Sequence, residues 1–559
     1  MNGAILLSIA IAAYICGYFL YAKFIERKLG IDPAIPTPAH TKRDGVDYVP
    51  AHPTVLFGHH FASIAGAGPI VGPVLAAEFG WAAVTLWVIL GCIFIGAAHD
   101  MIAMFLSVRH EGKSIGSVIG TILGKPGKIL FLLFSWSALV LVVTEFTRQI
   151  VGTFVADPSI ATASLLFLCE AVAFGLCVNK LKMPVLWASL VFVPLMFASI
   201  WFGSLIPFDL AKFGVSPENI ATIWSIAVLI YCFVASTCPV WILLQPRDYL
   251  NAYLLYAMMA LGILGVFLAH PVLHTDAFVG WTAISRTGAT DMLFPFLFVT
   301  VACGACSGFH ALVASGTSAK QLDSEKSIRP IAYGGMLLEG VLAMIAIIGV
   351  AGTYLTQGDF SSAIRDMEPV QIFAATVAGF CAKLGIPQRV AESFMLLSVS
   401  AFLMTTVDSG TRLARFSWQE LFGASATAKE APKAIKIASN MYTGTFIVCG
   451  LAAFLLLGNP AAAKQIWTLF ASANQLLAAL TLLAATLWFA KNNKPCWLTA
   501  APMVFMLSVS SWALGTTFVK CVGIGDWTRA FATGFLLILA TVVVCLGVKA
   551  AIEGKNETE

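Results

Sequence analysis

The chain has 559 residues, 59% of them hydrophobic and 11% charged, with mean hydropathy +0.87 and net charge +4. Soluble domains are nearer half apolar and a quarter charged, so no soluble fold hides this much apolar surface, and the solvent is lipid. A charge of +4 is too small to imply nucleic acid, and thirteen cysteines, odd in number and scattered through apolar runs, do not read as a disulfide framework.

Met1-Asn2-Gly3 leads into about 20 apolar residues. A signal peptide has a basic start, a shorter core and a small-residue cleavage site. None of these is clear, so residues 3–24 read as a retained span. Further stretches of bilayer length fall near 54–78, 81–108, 127–155, 160–178, 184–206, 220–244 and 250–269. They continue near 291–318, 330–354, 388–411, 438–458, 461–490, 496–518 and 527–549, about fifteen spans in all.

Two of these stretches are broken by small residues. The first carries Phe57-Gly58-His59-His60-Phe61 and then Gly66-Ala67-Gly68-Pro69; the second carries Ala302-Cys303-Gly304-Ala305-Cys306-Ser307-Gly308-Phe309-His310. An opened backbone in hydrocarbon is tolerated only where it is buried in protein or lines a cavity. A separated pair of such helices points to a transporter binding site. The CxxC spacing of Cys303 and Cys306 has no second pair, so small residues at a helix break explain it better than a metal or redox centre.

Charge orients the spans. Lys23, Arg27, Lys28, Lys42, Arg43, Arg109, Lys113, Lys125 and Lys128 fall on one side. With them go Lys180, Lys182, Arg247, Lys320, Lys326, Arg329, Arg412, Arg415, Lys429, Lys433, Lys436, Lys491, Lys494, Lys549 and Lys555. The other side has few, among them Lys212, Arg286, Arg365, Lys383, Arg389, Lys520 and Arg529. The rich side is expected to be cytoplasmic, with the N-terminus outside and the C-terminus inside. This pattern requires residues 359–387 to form a re-entrant or interfacial hairpin on the outer face. Gly112 to Gly124 reads as a short amphipathic piece on the inner face.

Each broken helix is thus followed by a long helix, a short surface piece and another helix, and the two breaks run in opposite directions. The expected fold is an all-α polytopic membrane protein with a LeuT-like inverted repeat and two discontinuous helices. Its parts are an extra span (1–24), a first repeat (54–206), two inserted helices (220–269), a second repeat (291–490) and two final spans (496–549). Seven helices run from break to break, where LeuT-type proteins have five.

Several strings resemble the carbon starvation CstA family. They are Arg43-Asp44-Gly45-Val46-Asp47-Tyr48-Val49-Pro50, Gly66-Ala67-Gly68-Pro69-Ile70-Val71-Gly72-Pro73 and Pro239-Val240-Trp241. Leu244-Gln245-Pro246-Arg247-Asp248-Tyr249-Leu250, Ser307-Gly308-Phe309-His310 and Ser315-Gly316-Thr317-Ser318-Ala319-Lys320-Gln321-Leu322 are similar too. The resemblance implies an inner-membrane transporter of the amino acid–polyamine–organocation superfamily, associated with uptake of peptides or pyruvate during carbon limitation.

Pro69 suits a first helical position, which leaves free N–H groups and a positive dipole end near the membrane middle. Gly66, Ala67 and Gly68, with Gly304, Ser307, Gly308 and His310, are therefore the candidate carboxylate site; close packing through small residues is the other reading. His59 and His60, like His310, suit proton coupling, or are neutral rings bonded to opened backbone. Glu145, Arg148 and Gln149 share a helix face: Glu145 is a coupling candidate or half of a self-satisfied ion pair. His99 and Asp100 are adjacent, so they are expected to face different ways and to reach water at the cytoplasmic end. Glu339 is lone and needs a partner. In LeuT-type proteins the helix corresponding to 388–411 gives hydroxyls to a sodium site, so the resemblance makes Thr405, Thr406 and Ser409 cation ligands. Asp408 then carries a proton or completes that site, against a bland helix-end cap.

The expected function is import of a small carboxylate or short peptide, driven by protons or sodium, with no cofactor. A channel or nutrient sensor is the alternative. An enzyme is not indicated: the chain has no HExxH, nucleophile elbow or phosphate loop.

Overall fold

The computed structural model describes the backbone of residues 1–44, 48–239, 241–286, 288–353, 357–427, 432–458 and 465–556. Gly45, Val46, Asp47, Val240 and Lys429, and the ends of the expected spans at 354 and 461–464, lie outside the described residues.

Among the described residues, twelve helices are long and apolar enough to cross a membrane, and a bent pair, Pro53–Ile64 with Gly68–Phe79, makes a thirteenth. The remaining two expected spans take other forms. One is the discontinuous Leu293–Thr300 and Gly308–Val313, and the other is the shorter helix Met441–Leu457. Helices dominate because lipid offers the backbone no partners. Their ends are capped from within. Asn2 accepts from the Ala4 N–H, Ser114 from Ser117 and Asp157 from Ser159, and Glu368 with Gln371 forms a capping box.

The two short pieces fall near their expected positions in the chain, and Pro369–Cys381 is mostly buried. Helices Gln357–Asp366 and Pro369–Cys381 make the hairpin. The short piece expected at 112–124 begins at Ile115 and is divided from the long helix that continues to Ala156 by Gly124, at φ 72°. Outside the helices, strand Thr282–Ile284 pairs antiparallel with Thr290–Met292, Thr282 facing Met292.

Two sets of backbone bonds fix the direction of the broken helices. The Ala51 N–H, at the start of the first, donates to the Gln321 carbonyl (2.9 Å), just past the end of the second. Val279, ahead of the β-hairpin that leads into the second at Leu293, donates to the Phe79 carbonyl at the end of the first (3.2 Å). The two therefore lie side by side and antiparallel, as a LeuT-like inverted repeat requires. Helices Glu325–Thr353 and Ile466–Lys491 are almost wholly enclosed around them, whereas Val185–Leu205 and Trp527–Glu553 turn most of their surface outward.

Candidate functional site

The first helix breaks after Ile64, where the Gly66 N–H turns back to the Ile64 carbonyl (2.8 Å). The second half begins at Gly68 with Pro69 in its first turn. The glycines here are close-approach positions. A Cβ on Gly66 would lie 2.7 Å from Thr406 Oγ1, and one on Gly68 would lie 2.4 Å from Cys303 Sγ. The two breaks thus meet at one level, and Ala67 is buried between them.

The second break, Val301 to Ser307, is filled by side chains of neighbouring helices. Trp87 donates its indole N–H to the Val301 carbonyl (3.2 Å), and Gln475 donates to the Phe298 carbonyl (2.5 Å). Asn474 accepts from the Phe309 N–H (2.8 Å) and donates to Ser307 Oγ (3.0 Å). One N–H at the start of the second half-helix is therefore already capped by a side-chain amide. Gly308 presses on the helix that carries this amide, a Cβ there reaching the Asn474 carbonyl at 2.4 Å, and Gly304 faces Ala343. Small-residue packing is what both breaks display in this conformation.

Two buried polar clusters flank the breaks. In the first, Asp100 bridges two histidines, His99 Nδ1 at 2.8 Å and His310 Nδ1 at 2.7 Å. His310 Nε2 lies 3.2 Å from Glu339 Oε2, and Cys303 closes the group. None of the four acid and histidine side chains reaches solvent. The expectation that His99 and Asp100 diverge toward water is corrected: the two oxygens of one carboxylate reach both a sequence neighbour and another helix. Glu339 likewise has its partner in His310. His60, also buried, pairs through Nδ1 with Ser318 Oγ (2.8 Å).

The second cluster centres on Arg247. Charge patterning placed it in a cytoplasmic loop; instead it lies inside helix Leu244–Ala269 and is 1% exposed. It hydrogen-bonds Asp408, which supplies the partner that Asp408 lacks locally, and it also reaches Asp248 (3.2 Å). Tyr231 O–H donates to Asp408 Oδ2 (2.5 Å). His59 Nδ1 stands 3.7 Å from Asp248, and Asn251 donates to Thr405 Oγ1 (2.5 Å). Helix Gln388–Phe422 runs well past these residues, so the cap reading of Thr405 to Ser409 is excluded. Thr405 and Thr406 hydroxyls donate to carbonyls four residues back. Ser409 lines a cavity of about 30 Å³ with His59, Ser63 and Arg412, room for about one water. Leu413 and Phe416 line both it and a cavity of about 300 Å³ whose walls include Lys113, Lys320 and Glu420.

Glu145 joins neither cluster. It accepts from Arg148 (2.7 Å) and Gln149 (2.8 Å), and Arg148 in turn meets Glu368, as does Arg286 (2.9 Å). This is the ion-pair reading. Burial opposes ionisation of Glu368, but the two guanidiniums overcome it and hold its carboxyl at about 2.

Antiparallel broken helices with buried acid, histidine and arginine clusters beside them define a polytopic membrane transporter of LeuT-like architecture. Residues 2–363 and 354–513 match the family described as Carbon starvation protein CstA, and the chain belongs to that family. It is 30% identical over 556 residues to the Peptide transporter CstA of Campylobacter jejuni, covering 89% of this chain and 78% of that one. To the Pyruvate/proton symporter BtsT of Escherichia coli it is 31% identical over 589 residues, covering 90% and 80%. Among solved structures, MhsT in complex with L-phenylalanine is similar with a TM-score of 0.47 and 15% identity, over 88% of this chain and 99% of that one.

Proposed function

We propose that this protein is a proton-coupled importer of a small carboxylate or short peptide across the inner membrane, with its N-terminus outside and its C-terminus cytoplasmic. The observation that carries the reading is the Arg247–Asp408 pair, buried between two helices of bilayer length beside the first broken helix. A charge there is costly and marks a substrate or ion pathway. A proton on Asp408 frees the guanidinium of Arg247, and the substrate carboxylate takes its place. One anion and one proton then enter together, and the site never holds an unpaired cation. The names of the two relatives, a peptide transporter and a pyruvate/proton symporter, agree with a carboxylate-bearing substrate and with protons as the driving ion.

Substrate passes between the first broken helix and Gln388–Phe422, along His59, Ser63, Ser409 and Arg412. The larger cavity with Lys113 and Lys320 is the cytoplasmic vestibule, and Leu413 and Phe416 are the barrier between them. On this reading residues 54–206 and 291–490 are the repeats, and the inserted pair 220–269 supplies Tyr231, Arg247, Asp248 and Asn251 to the site. Uptake of labelled pyruvate and of a labelled dipeptide into proteoliposomes, under an imposed pH or sodium gradient, tests it. A pH gradient should drive accumulation by the wild type, and Asp408→Asn should abolish that dependence. Accumulation driven by sodium alone, unchanged in Asp408→Asn, overturns it.

A further inference from the structure

Cys303, His310 and Glu339 come from three places in the chain: the second break, the half-helix after it and the long helix Glu325–Thr353. One ligand atom from each, Sγ, an imidazole nitrogen and a carboxylate oxygen, lies within 4.8 Å of the other two, and all three side chains are buried. Neither oxygen of Glu339 accepts a hydrogen bond among the described residues, and His310 Nε2 has no hydrogen-bond partner although Glu339 Oε2 is 3.2 Å away. The ring nitrogen and the oxygen are near each other without being aligned as donor and acceptor. Tetrahedral ligands with bonds of about 2.0–2.1 Å stand roughly 3.3 Å apart, facing a common centre rather than each other.

The surroundings match such a centre. Asp100 holds His310 through Nδ1 (2.7 Å), which leaves Nε2 directed at Glu339 and is the usual carboxylate–histidine support of a metal ligand. Asn474 lies 3.7 Å from Cys303 Sγ as a donor, which steadies a thiolate. A thiolate and a carboxylate together neutralise a dication, so a filled site buries no net ligand charge. Mixed sulfur, nitrogen and oxygen donors select a borderline transition ion over calcium or magnesium. We infer that Cys303 Sγ, His310 Nε2 and the Glu339 carboxylate hold one divalent transition-metal ion of the zinc class. The ion pins the second break to the long helix behind it and leaves a fourth position for water.

The test uses the full chain purified in detergent, stripped with a chelator and titrated with Zn²⁺ alone or Co²⁺ alone. Metal content by mass spectrometry should approach about one ion per chain, and Co²⁺ should give a near-ultraviolet thiolate charge-transfer band. Cys303→Ser should remove that band. Glu339→Gln should weaken binding, and Asp100→Asn should weaken it about 10- to 100-fold through the orientation of His310. Cys306→Ser should retain full binding. A monodisperse wild type that takes up no stoichiometric ion overturns the proposal whatever the variants do. So does Co²⁺ binding without the thiolate band, or Zn²⁺ binding unchanged in both Cys303→Ser and Glu339→Gln.

Discussion

Arg247 is the residue whose replacement tests the site most directly. It faces two carboxylates, Asp408 and Asp248, and a phenol, Tyr231, all in a protein interior. Removing one partner of a buried pair costs about 3–5 kcal/mol, because the other charge stays buried without compensation. Asp408→Asn leaves Asp248 to balance Arg247, so its cost should sit near the low end, about 3 kcal/mol. Arg247→Met strands two carboxylates, leaving Asp248 to His59 and the field of Arg412, and should cost about 5 kcal/mol. The double variant Arg247→Met with Asp408→Asn removes both charges and should recover at least about 2 kcal/mol of the summed loss. Urea unfolding in mixed micelles, followed by tryptophan fluorescence, measures the cycle, and proteoliposome uptake runs in parallel. Uptake should vanish in all three variants, including the one whose stability recovers. Strict additivity of the two single losses, or normal uptake by Arg247→Met, refutes the reasoning.

Gly66→Leu and Gly68→Val should insert in the membrane yet lose uptake, because the added Cβ meets Thr406 or Cys303 at less than a contact distance; surface labelling with uptake separates the two effects. Asn474→Leu leaves the Phe309 N–H without its acceptor inside the protein and should cost about 1–3 kcal/mol in the same unfolding assay. For Glu368 the folded carboxyl lies at about 2 against an ordinary 4.5. Its contribution, at most about 3 kcal/mol, is full above pH 4.5 and lost as pH falls toward 2. Glu368→Gln should flatten the stability profile across that window, and an unchanged slope there contradicts the assignment.

The two breaks are legible in the sequence because glycine clusters and proline inside bilayer-length apolar runs have few other uses. Their opposite directions follow from loop charge. The chemistry between them is less legible, for reasons specific to each residue. Arg247 follows Pro246 in a polar string, which reads as a loop, but proline fits the first turn of a helix and the helix starts at Leu244. His99 and Asp100 look divergent because neighbours on a helix point apart, a rule that ignores the two acceptor oxygens of a carboxylate. Glu339 and Cys303 are far apart in the chain, and nothing local in either string points to the other. Asn474 and Gln475 carried a usable signal, an adjacent amide pair inside an apolar span, where unsatisfied amides are expensive.

The backbone bonds that join the broken helices at both ends have a mechanical consequence. The approach to each is fastened beside the end of the other, at Ala51 with Gln321 and at Phe79 with Val279, whose neighbour Trp281 holds the Leu293 N–H. Neither can slide along its neighbour without parting one of these fastenings. The two are therefore tied at both ends and touch again where Gly68 meets Cys303, so a shift of one is passed to the other.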